Sequence, residues 1–423
     1  MKKLHVWIEI AGVQTYVGSI IGNSPQDAQF SYAPEYLAGG YPPISISLPI
    51  SELPFSAETT KNFFEGLLPE GFARKSVANW IHVSEEDYLT ILSVLGSECL
   101  GALRISDTQY DTGDYEPLSI DDVKALAKEG VSKSTELVTT AHLSLTGASG
   151  KVGLYYDYDR NIWFKPKGNA PSTHIVKQSH VRLSGIVTNE QLSLFTASKL
   201  GISIPESFII NTGNANDDEI LFATKRYDRI MPKDPTYIHD LIRPFRLHQE
   251  DFAQALGISA YEKYETGNYH YLPRVFHVLR NYAADPITDQ LKLWDILIYD
   301  YLIGNTDNHI KNLSLLYSEN LRSVRLAPAY DIISTVIYPG NSREMAISIG
   351  GEKTIDHITR THFAEAASEA GLSKKLALKR FDTLVDGFEN ALDEISIQLS
   401  ESGYPNAKAI KEQILQHGGY SHL

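Results

Sequence analysis

The spacing of apolar residues changes along this chain, and that change limits the folds that the chain can adopt. Residues 4–20 alternate apolar and polar side chains around the turn Ala11-Gly12, which predicts a β-hairpin. Beyond Tyr227 the apolar residues recur at helical spacing, which predicts helices over 249–256, 270–282, 289–303, 361–371 and 374–399. Strands followed by helices favour an α+β fold.

Residues 1–105 are predicted to form a β-rich N-terminal subdomain. The segment 42–49 continues the alternation of apolar and polar residues and predicts another strand. Helical spacing over 59–80 and again over 87–95 predicts helices within the same subdomain. The polar stretch 106–117 predicts the first domain boundary.

Residues 118–226 are predicted to form a small, mostly antiparallel sheet that carries one helix. The strand signals lie at 143–158, 162–164, 174–177 and on both sides of the polar loop 212–218. Helical spacing over 189–200 stops at Gly201. The remaining residues, 227–423, are predicted to form a mostly helical lobe.

Charge and cysteine content exclude several classes of protein. The single cysteine, Cys99, cannot form an internal disulfide, which favours a reducing compartment. With 38 basic and 52 acidic residues the chain carries a formal charge of −14, so we expect any contact with DNA to be indirect. His5 and Glu9 interrupt the first apolar run, and charges interrupt every stretch of membrane-spanning length. We therefore expect a cytoplasmic protein that does not enter membranes.

A polar loop over 304–312 carries the most informative pattern. It follows the predicted helix 289–303 and leads into an apolar run, and loops on rigid elements are where catalytic groups collect. Asp307 and Asn312 have the D-x-x-x-x-N spacing of protein-kinase catalytic loops, where the Asp orients the acceptor hydroxyl and the Asn binds magnesium. Alone, the same residues could simply satisfy turn backbones.

A second acidic position follows in the segment Pro328-Ala329-Tyr330-Asp331. Magnesium takes one or two protein oxygens together with phosphate oxygens, so Asn312 and Asp331 suit it if a hairpin brings them together. The chain order of base, metal amide and metal carboxylate is that of a kinase. No His or Cys cluster indicates zinc, and no nucleophile-elbow motif indicates a hydrolase.

Two further features suit phosphate groups. A glycine-containing turn between strands, Thr146-Gly147-Ala148-Ser149-Gly150-Lys151, can present backbone N–H groups, although an ordinary hairpin turn has the same composition. Lys177 ends a short β run, where an inward lysine would cost on the order of several kcal/mol unless an anion pairs with it. Glu190 is a candidate partner; alternatively Lys177 is an exposed edge lysine and Glu190 a first-turn acid.

In these features the sequence resembles the HipA family, the serine/threonine kinase toxins of bacterial toxin–antitoxin modules. The matching segments are FFEGLLPEGFAR (63–74), GSECLGALRI (96–105), LSLTGASGK (143–151), THIVK (173–177), KRYDR (225–229), HQEDFAQALG (248–257), LIGNTDNHIKNLSLL (302–316) and LAPAYDIIS (326–334). The resemblance implies a two-lobed protein-kinase-like fold with an added N-terminal subdomain, and ATP and Mg²⁺ as cofactors.

The resemblance also implies a role for individual residues. It makes Asp307 the catalytic base, Asn312 and Asp331 the magnesium ligands, and Lys177 a ligand of the ATP phosphates. Further implied nucleotide contacts are the phosphate loop Thr146–Lys151, the adenine hinge Lys225-Arg226-Tyr227, His309 and Tyr330. Ser144 matches the serine whose autophosphorylation silences the kinase, which has a physical basis because about two added negative charges would repel ATP phosphates.

The function that the resemblance implies is growth arrest and persistence through phosphorylation of an aminoacyl-tRNA synthetase such as glutamate-tRNA ligase. A small helix-turn-helix antitoxin is the implied partner, and it would supply the contact with DNA. Two alternatives stay open: a non-catalytic co-repressor scaffold and a small-molecule phosphotransferase. The sequence departs from the family where Tyr227 replaces the usual Phe and where Ser149-Gly150 replaces the more common Gln-Glu.

Overall fold

The computed structural model describes residues 1–107, 112–129, 135, 151–178, 183–267 and 269–423. The chain divides into two compact units. Unit 1 consists of Met1–Gln178, Ala223–Ala260 and Leu316–Val324, and unit 2 of Ser179–Phe222, Tyr261–Leu315 and Arg325–Leu423. The predicted boundary after residue 226 does not coincide with a boundary between the units, because Ala223–Ala260 all belong to unit 1.

The strands are numbered in chain order. They are β1 (Lys2–Ile10), β2 (Val13–Gly22), β3 (Gln29–Tyr32), β4 (Leu103–Ser106), β5 (Asp114–Pro117), β6 (Lys151–Asp157), β7 (Ile162–Lys167), β8 (His174–Gln178), β9 (Ser207–Asn211), β10 (Ile220–Lys225), β11 (Arg229–Ile230), β12 (Thr236–Ile238), β13 (Leu241–Arg243), β14 (Phe245–Arg246), β15 (Gln249–Asp251), β16 (Ser314–Tyr317), β17 (Val324–Leu326), β18 (Glu344–Ile349) and β19 (Glu352–Thr354).

The α-helices are numbered in the same way. They are α1 (Pro34–Ala38), α2 (Ala57–Glu65), α3 (Gly71–Trp80), α4 (Tyr88–Leu95), α5 (Ile120–Glu129), α6 (Ile186–Lys199), α7 (Phe252–Leu256), α8 (Leu272–Tyr282), α9 (Pro286–Ile303), α10 (Arg360–Glu369), α11 (Lys374–Glu401) and α12 (Asn406–His417). Within the described part of the chain, no helix combines the length and the apolar character needed to cross a membrane.

The N-terminal sheet in unit 1 has the strand order β3-β2-β1-β4. β1 and β2 form the predicted hairpin, and its turn places Ala11 and Gly12 at positive φ. The sheet buries Val6, Ile8 and Phe30 completely, and α2 and α4 cover this apolar face. Removing such side chains from water is the main stabilising contribution to this part of the fold.

The predicted strand over 42–49 is wrong, because this segment contains only an isolated bridge between Ser45 and Leu48. The backbone turns back on itself, with the Leu48 N–H donating to the Ser45 carbonyl at 3.2 Å. Ile44 and Leu48 are nevertheless fully buried. Ile46, the third residue of the predicted apolar face, is only partly buried, whereas the polar Ser45 is fully buried. Alternation of apolar residues cannot distinguish a strand from a tight turn that buries some of the same side chains.

A second antiparallel sheet in unit 1 contains the strands β5-β7-β6-β8 in that order. Strands β6, β7 and β8 agree with the predicted strand signals, whereas β5 lies in the stretch 106–117 that was predicted to be a domain boundary. Its buried core includes Tyr115, Tyr155 and Phe164, with the Tyr115 and Tyr155 rings 4.6 Å apart. The register of β6 and β8 places Lys151 directly opposite Lys177. This sheet thereby brings two residues of the predicted phosphate site together.

Unit 2 is built mainly from the predicted helices. In α9 the Asp285 side chain caps the first turn, Pro286 occupies the first helical position and Gly304 ends the helix at a φ of 75°. Trp294 of α9 is fully buried and its indole N–H donates to the Ala377 carbonyl at 3.1 Å. Strands in unit 1 and helices in unit 2 confirm the predicted α+β class.

Candidate active site

The polar loop 304–312 begins where α9 ends at Gly304. A Cβ atom on Gly304 would lie 2.2 Å from Cγ2 of Val336, and the positive φ also disfavours other residues. The next residue, Asn305, donates its backbone N–H to the Asp300 carbonyl at 2.8 Å. The chain therefore leaves the helix in one direction that glycine alone permits without strain.

A buried carboxylate, Asp300, holds the loop from the helix side. Asp300 is fully buried in α9 and accepts hydrogen bonds from the side-chain amides of Asn305, at 2.8 Å, and Asn308. Burial raises the pKa of Asp300 to about 7, while these two amide donors act to lower it. Asp300 thus fixes the two asparagines on either side of Thr306-Asp307.

Asp307, the predicted base, is exposed, and both its main chain and its side chain form hydrogen bonds. Its backbone N–H donates to Asn305 Oδ1 at 3.3 Å. Its carbonyl accepts the His309 N–H at 2.8 Å and the Asn312 side-chain amide at 3.0 Å. The Tyr264 hydroxyl donates to Asp307 Oδ1. The predicted D-x-x-x-x-N pair is therefore joined directly, through the main chain of the Asp and the side chain of the Asn.

Tyr330 ties the second acidic segment to this loop. Its hydroxyl donates to the Lys311 carbonyl at 3.0 Å and lies 2.6 Å from Ser314 Oγ. Since Lys311 precedes Asn312 and Tyr330 precedes Asp331, this contact links the neighbours of both predicted magnesium ligands. Asp331 itself has a φ of 57°, a left-handed conformation that costs about 1 kcal/mol or more and is typical of functional sites.

Helix α6 holds the chain just after Asp331. Asn189 is fully buried, its Nδ2 donates to the Ser334 carbonyl at 2.9 Å, and its Oδ1 accepts the Ser334 N–H at 3.1 Å. These paired bonds fasten the main chain three residues beyond Asp331. The adjacent Glu190, which the sequence suggested as a partner for Lys177, is also buried.

In unit 1, the predicted phosphate ligands Lys151 and Lys177 are cross-strand neighbours on β6 and β8. Lys177 is only 8% exposed, so the predicted inward orientation is confirmed over the edge-lysine alternative. Two like charges directly opposite each other are unfavourable in a sheet, which favours an anion beside them. The predicted positions Ser144, Thr146, Gly147, Ala148, Ser149 and Gly150 lie outside the described residues.

The predicted hinge residues lie at the end of β10 and beyond. Lys225 is exposed and its ammonium lies 6.0 Å from the Tyr158 ring centre. Tyr158 in turn hydrogen-bonds His174 Nε2 at 3.0 Å. Burial, and then the charge of Lys225, lower the pKa of His174 to about 3, so this imidazole is neutral. The Tyr227 hydroxyl, absent from the family's usual Phe, donates to Gln249 Oε1.

Arg226 occupies a different environment from the other two hinge residues. Its guanidinium is buried and contacts Glu98 at 3.1 Å and Asp228 at 2.7 Å. Glu98 also binds Arg229 at 2.8 Å and Arg246 at 2.6 Å. The Arg226 N–H donates to the Thr173 carbonyl at 2.9 Å. The backbone of Arg226 is therefore tied to Thr173, and its side chain is engaged in an ion network.

The donor set in unit 2 fits magnesium chemically. Asn312 and Asp331 offer one amide and one carboxylate oxygen, which are hard ligands that leave other positions to water and phosphate. Across the part of the chain that the structure describes, no group of three or more His, Cys, Asp or Glu side chains is arranged to hold a metal ion.

Four residues that organise these segments were not predicted: Tyr264, Asp300, Asn189 and Glu98. Asp300 had a detectable signal, because it is the lone carboxylate in the apolar run Ile296–Ile303 and a buried carboxylate needs partners. Tyr264 had none, since it lies 43 positions from Asp307 in a segment rich in tyrosine. Such contacts depend on the fold and cannot be derived from local spacing.

Comparison with known families gives two matches that do not overlap. The model of the HipA N-terminal domain matches residues 5–106. The model of the HipA-like C-terminal domain matches residues 143–392. The second match alone includes more than half of the chain and all the site residues that the sequence predicted.

Individual proteins give the same result. The Sinorhizobium fredii protein named "Putative kinase Y4mE" is 32% identical over 409 residues, covering 93% of this chain and 92% of the relative. A second protein of that organism, "Putative kinase Y4dM", is 28% identical over 367 residues, covering 82% and 81%. A solved complex of HipA, HipB and operator DNA from Shewanella oneidensis MR-1 has a TM-score of 0.79 at 21% identity, covering 97% and 96%, and so shares the fold.

Proposed function

Since the two domain models together cover most of the sequence, the chain belongs to the HipA family, and we propose that it is an ATP-dependent serine/threonine kinase toxin. The observation that carries the proposal is the hydrogen-bonded arrangement in unit 2. Asn312 binds the Asp307 carbonyl, and Tyr330 links the neighbours of Asn312 and Asp331. An Asp, an Asn and a second Asp in the same chain order serve phosphoryl transfer in protein kinases.

In this proposal each residue has one task. Asp307 orients the acceptor hydroxyl and accepts its proton as the oxygen attacks the terminal phosphorus of ATP and ADP leaves. Asn312 and Asp331 would hold magnesium, which when bound offsets negative charge on the phosphates. Asp307 is exposed, so the hydroxyl of a protein acceptor can reach it.

The lysine pair of unit 1 supports a role in binding the ATP phosphates. Lys151 and Lys177 face each other across the β6–β8 ladder, and Lys177 is almost completely buried. Burying an ammonium group costs several kcal/mol, on the order of what a paired anion recovers. We assign Lys177 to the phosphates, with Lys151 at the end of the proposed phosphate loop.

The toxin role and its control follow from family membership. We propose that the acceptor is an aminoacyl-tRNA synthetase such as glutamate-tRNA ligase, and that phosphorylation of Ser144 silences the kinase by repelling ATP phosphates. We further propose a helix-turn-helix antitoxin as partner. The solved complex of HipA with HipB and operator DNA supports this partner, and the charge of −14 is consistent with DNA contact through the antitoxin.

Transfer of label from radiolabelled ATP to purified glutamate-tRNA ligase tests the activity. We expect the unmodified chain to label the ligase or itself, and Asp307→Ala to reduce the rate at least 100-fold, since a positioned base contributes about that much. Asp386→Ala removes an exposed carboxylate of α11 and is the matched control. Absence of label from the unmodified chain, in the presence of magnesium, would contradict the kinase proposal.

Nucleotide binding gives a readout that does not need turnover. Calorimetric titration with magnesium and a non-hydrolysable ATP analogue should show binding that Lys177→Ala weakens at least ten-fold. Lys75→Ala, which removes an exposed lysine of α3, should bind like the unmodified chain. Binding without label transfer, together with co-repression by the antitoxin complex, would indicate a scaffold instead of an enzyme. Rapid phosphorylation of a small alcohol without protein labelling would indicate a small-molecule phosphotransferase.

A further inference from the structure

We propose that Tyr264 is a positioning residue for Asp307, held in place by Glu265 so that the Asp307 carboxylate keeps one orientation toward the acceptor hydroxyl. The inference deepens the proposed function and rests on it, since it assigns Asp307 as the base. No sequence motif indicated Tyr264, and its role emerges from the contacts within unit 2.

The hydrogen bond from Tyr264 is directed at the functional end of Asp307. The phenol donates to Oδ1 of the carboxylate. An ionised carboxylate has two oxygens and accepts several hydrogen bonds, so the bond from Tyr264 is compatible with a further bond from the acceptor hydroxyl. The main chain of Asp307 is already fixed by Asn305 and Asn312. Tyr264 therefore adds a side-chain contact to the main-chain contacts that hold Asp307.

The next residue, Glu265, anchors Tyr264 to unit 2. Its carboxylate is buried, with Oε1 accepting the Tyr271 N–H at 2.7 Å and Oε2 the Ser348 N–H at 2.9 Å. Its carbonyl accepts the Lys353 ammonium at 2.6 Å. Three contacts to α8, β18 and β19 thus fix the main chain beside Tyr264. The exposed tyrosine is mounted on a rigid segment, which positioning of a base requires.

The ring of Tyr264 is also held from two sides. His309, on the same loop as Asp307, meets it edge to face with ring centres 5.1 Å apart. The Lys263 ammonium lies 5.3 Å from the ring centre, within the range of a cation–π contact. The aromatic ring and the hydroxyl therefore contact the same loop at two points, His309 and Asp307. This arrangement orients the loop as well as the carboxylate.

Steady-state kinetics of Tyr264→Phe tests the positioning role. The variant keeps the ring and its contact with His309 but loses the hydroxyl. We expect kcat to fall about ten-fold, a part of the 100-fold or more that a positioned base supplies, with the KM for ATP unchanged. Tyr269→Phe, which alters another exposed tyrosine of this unit, should retain full kcat. If Tyr264→Phe retains the full kcat of an active parent protein, the proposal is wrong.

A spectroscopic measurement decides the proposal without turnover. In protein carrying ¹³C at the hydroxyl-bearing ring carbon of tyrosine, the signal lost in Tyr264→Phe identifies Tyr264. We expect that signal to move in Asp307→Asn and to stay in place in Asp386→Asn, because only the first changes the hydrogen-bond acceptor. If the chemical shift of Tyr264 is the same in the parent protein and in Asp307→Asn, the inference is wrong. If the parent protein transfers no phosphate, the kinase proposal fails, and this spectrum still settles whether Tyr264 binds Asp307.

Discussion

Two individual carboxylates, Glu250 and Asp300, are buried in this protein, and the sequence patterns did not assign either of them a role. Glu250 in unit 1 accepts hydrogen bonds from Ser45 Oγ at 2.5 Å, the Ile46 N–H at 3.1 Å and the Tyr317 hydroxyl. Asp300 in unit 2 accepts two asparagine amides. Both are fully buried, and burial raises the pKa of each to about 7.

Replacement of Glu250 by Gln should reduce the pH dependence of stability. The folded-state pKa of about 7 lies above the ordinary value of 4.5, so the native state binds more protons than the unfolded state between these values. The stabilising contribution of the protonated form is therefore complete below about pH 4.5 and is lost as the pH rises through about 7. Glutamine can keep the bonds to Ser45, Ile46 and Tyr317 without ionising.

Urea unfolding at about pH 6 and about pH 8 measures the effect. We expect Glu250→Gln to lose less unfolding free energy than the parent protein between these conditions. Asp300 acts in the same direction, so some dependence should remain in the variant. An identical loss in parent and variant would show that Glu250 does not change its protonation on unfolding.

Asp300→Asn should weaken both the loop and the activity. The carboxylate accepts from Asn305 and Asn308, and an amide in its place offers one acceptor oxygen and turns a donor toward the remaining asparagine. A buried donor without an acceptor costs about 1–3 kcal/mol. We expect a lower melting temperature together with a lower rate of phosphate transfer. A drop in stability with full activity would show that Asp300 supports the helix and not the loop.

At the scale of elements, the helices were the most predictable features. The apolar spacing over 289–303 predicts α9, and the structure extends it only to Pro286 because Asp285 caps the first turn. The strand predicted over 42–49 was wrong because this segment turns around Glu250, which lies about 200 positions away in the sequence. A local sequence pattern does not include a contact of that separation. The residues of the candidate site likewise fall into those that local sequence predicts and those that it does not. Asp307 and Asn312 share a loop and were predicted, whereas Tyr264 and Asn189 reach the site through the fold.

Gly304, which ends α9, should be sensitive to substitution. Gly304→Ala should destabilise the protein by about 1–3 kcal/mol, because a Cβ would overlap Val336 and the backbone is left-handed. Since the loop with Asp307 begins at Gly304, phosphate transfer should fall as well. Gly340→Ala is the matched control, because Gly340 has a φ of 89° but open space around its Cα. Equal losses of stability in both variants would assign the effect to backbone strain alone.

At the scale of the whole molecule, the N-terminal residues share unit 1 with the proposed nucleotide lysines. Glu98 of the N-terminal residues binds Arg226, Arg229 and Arg246 of the same unit, and every one of these side chains is almost completely buried. Burial raises the pKa of Glu98, but the three arginines outweigh it and hold the pKa well below its ordinary value. Composition did not predict this network, because Glu98 lies more than a hundred positions from each of the three arginines.

Glu98→Gln should therefore be the most damaging single substitution outside the proposed catalytic loop. It leaves three buried guanidinium groups with less negative charge, and breaking such a network costs about 3–5 kcal/mol. Because the pKa of Glu98 is depressed in the folded state, its contribution is present above the ordinary value of 4.5 and is lost as the pH falls through the folded pKa. The unfolding free energy of the variant, measured by urea titration near neutral pH, should show the full loss.

The exposed ion pair of Arg360 and Asp382 supplies the contrast that makes this prediction specific. It is equally well formed, with two contacts of 2.8 Å, but water screens it. Asp382→Asn should change stability little, and the nucleotide affinity not at all. In Glu98→Gln, Arg226 loses a partner directly beside Lys225, so we expect nucleotide affinity to fall at temperatures where the variant is still folded. Unchanged affinity in that folded variant would show that the network supports unit 1 without positioning the hinge.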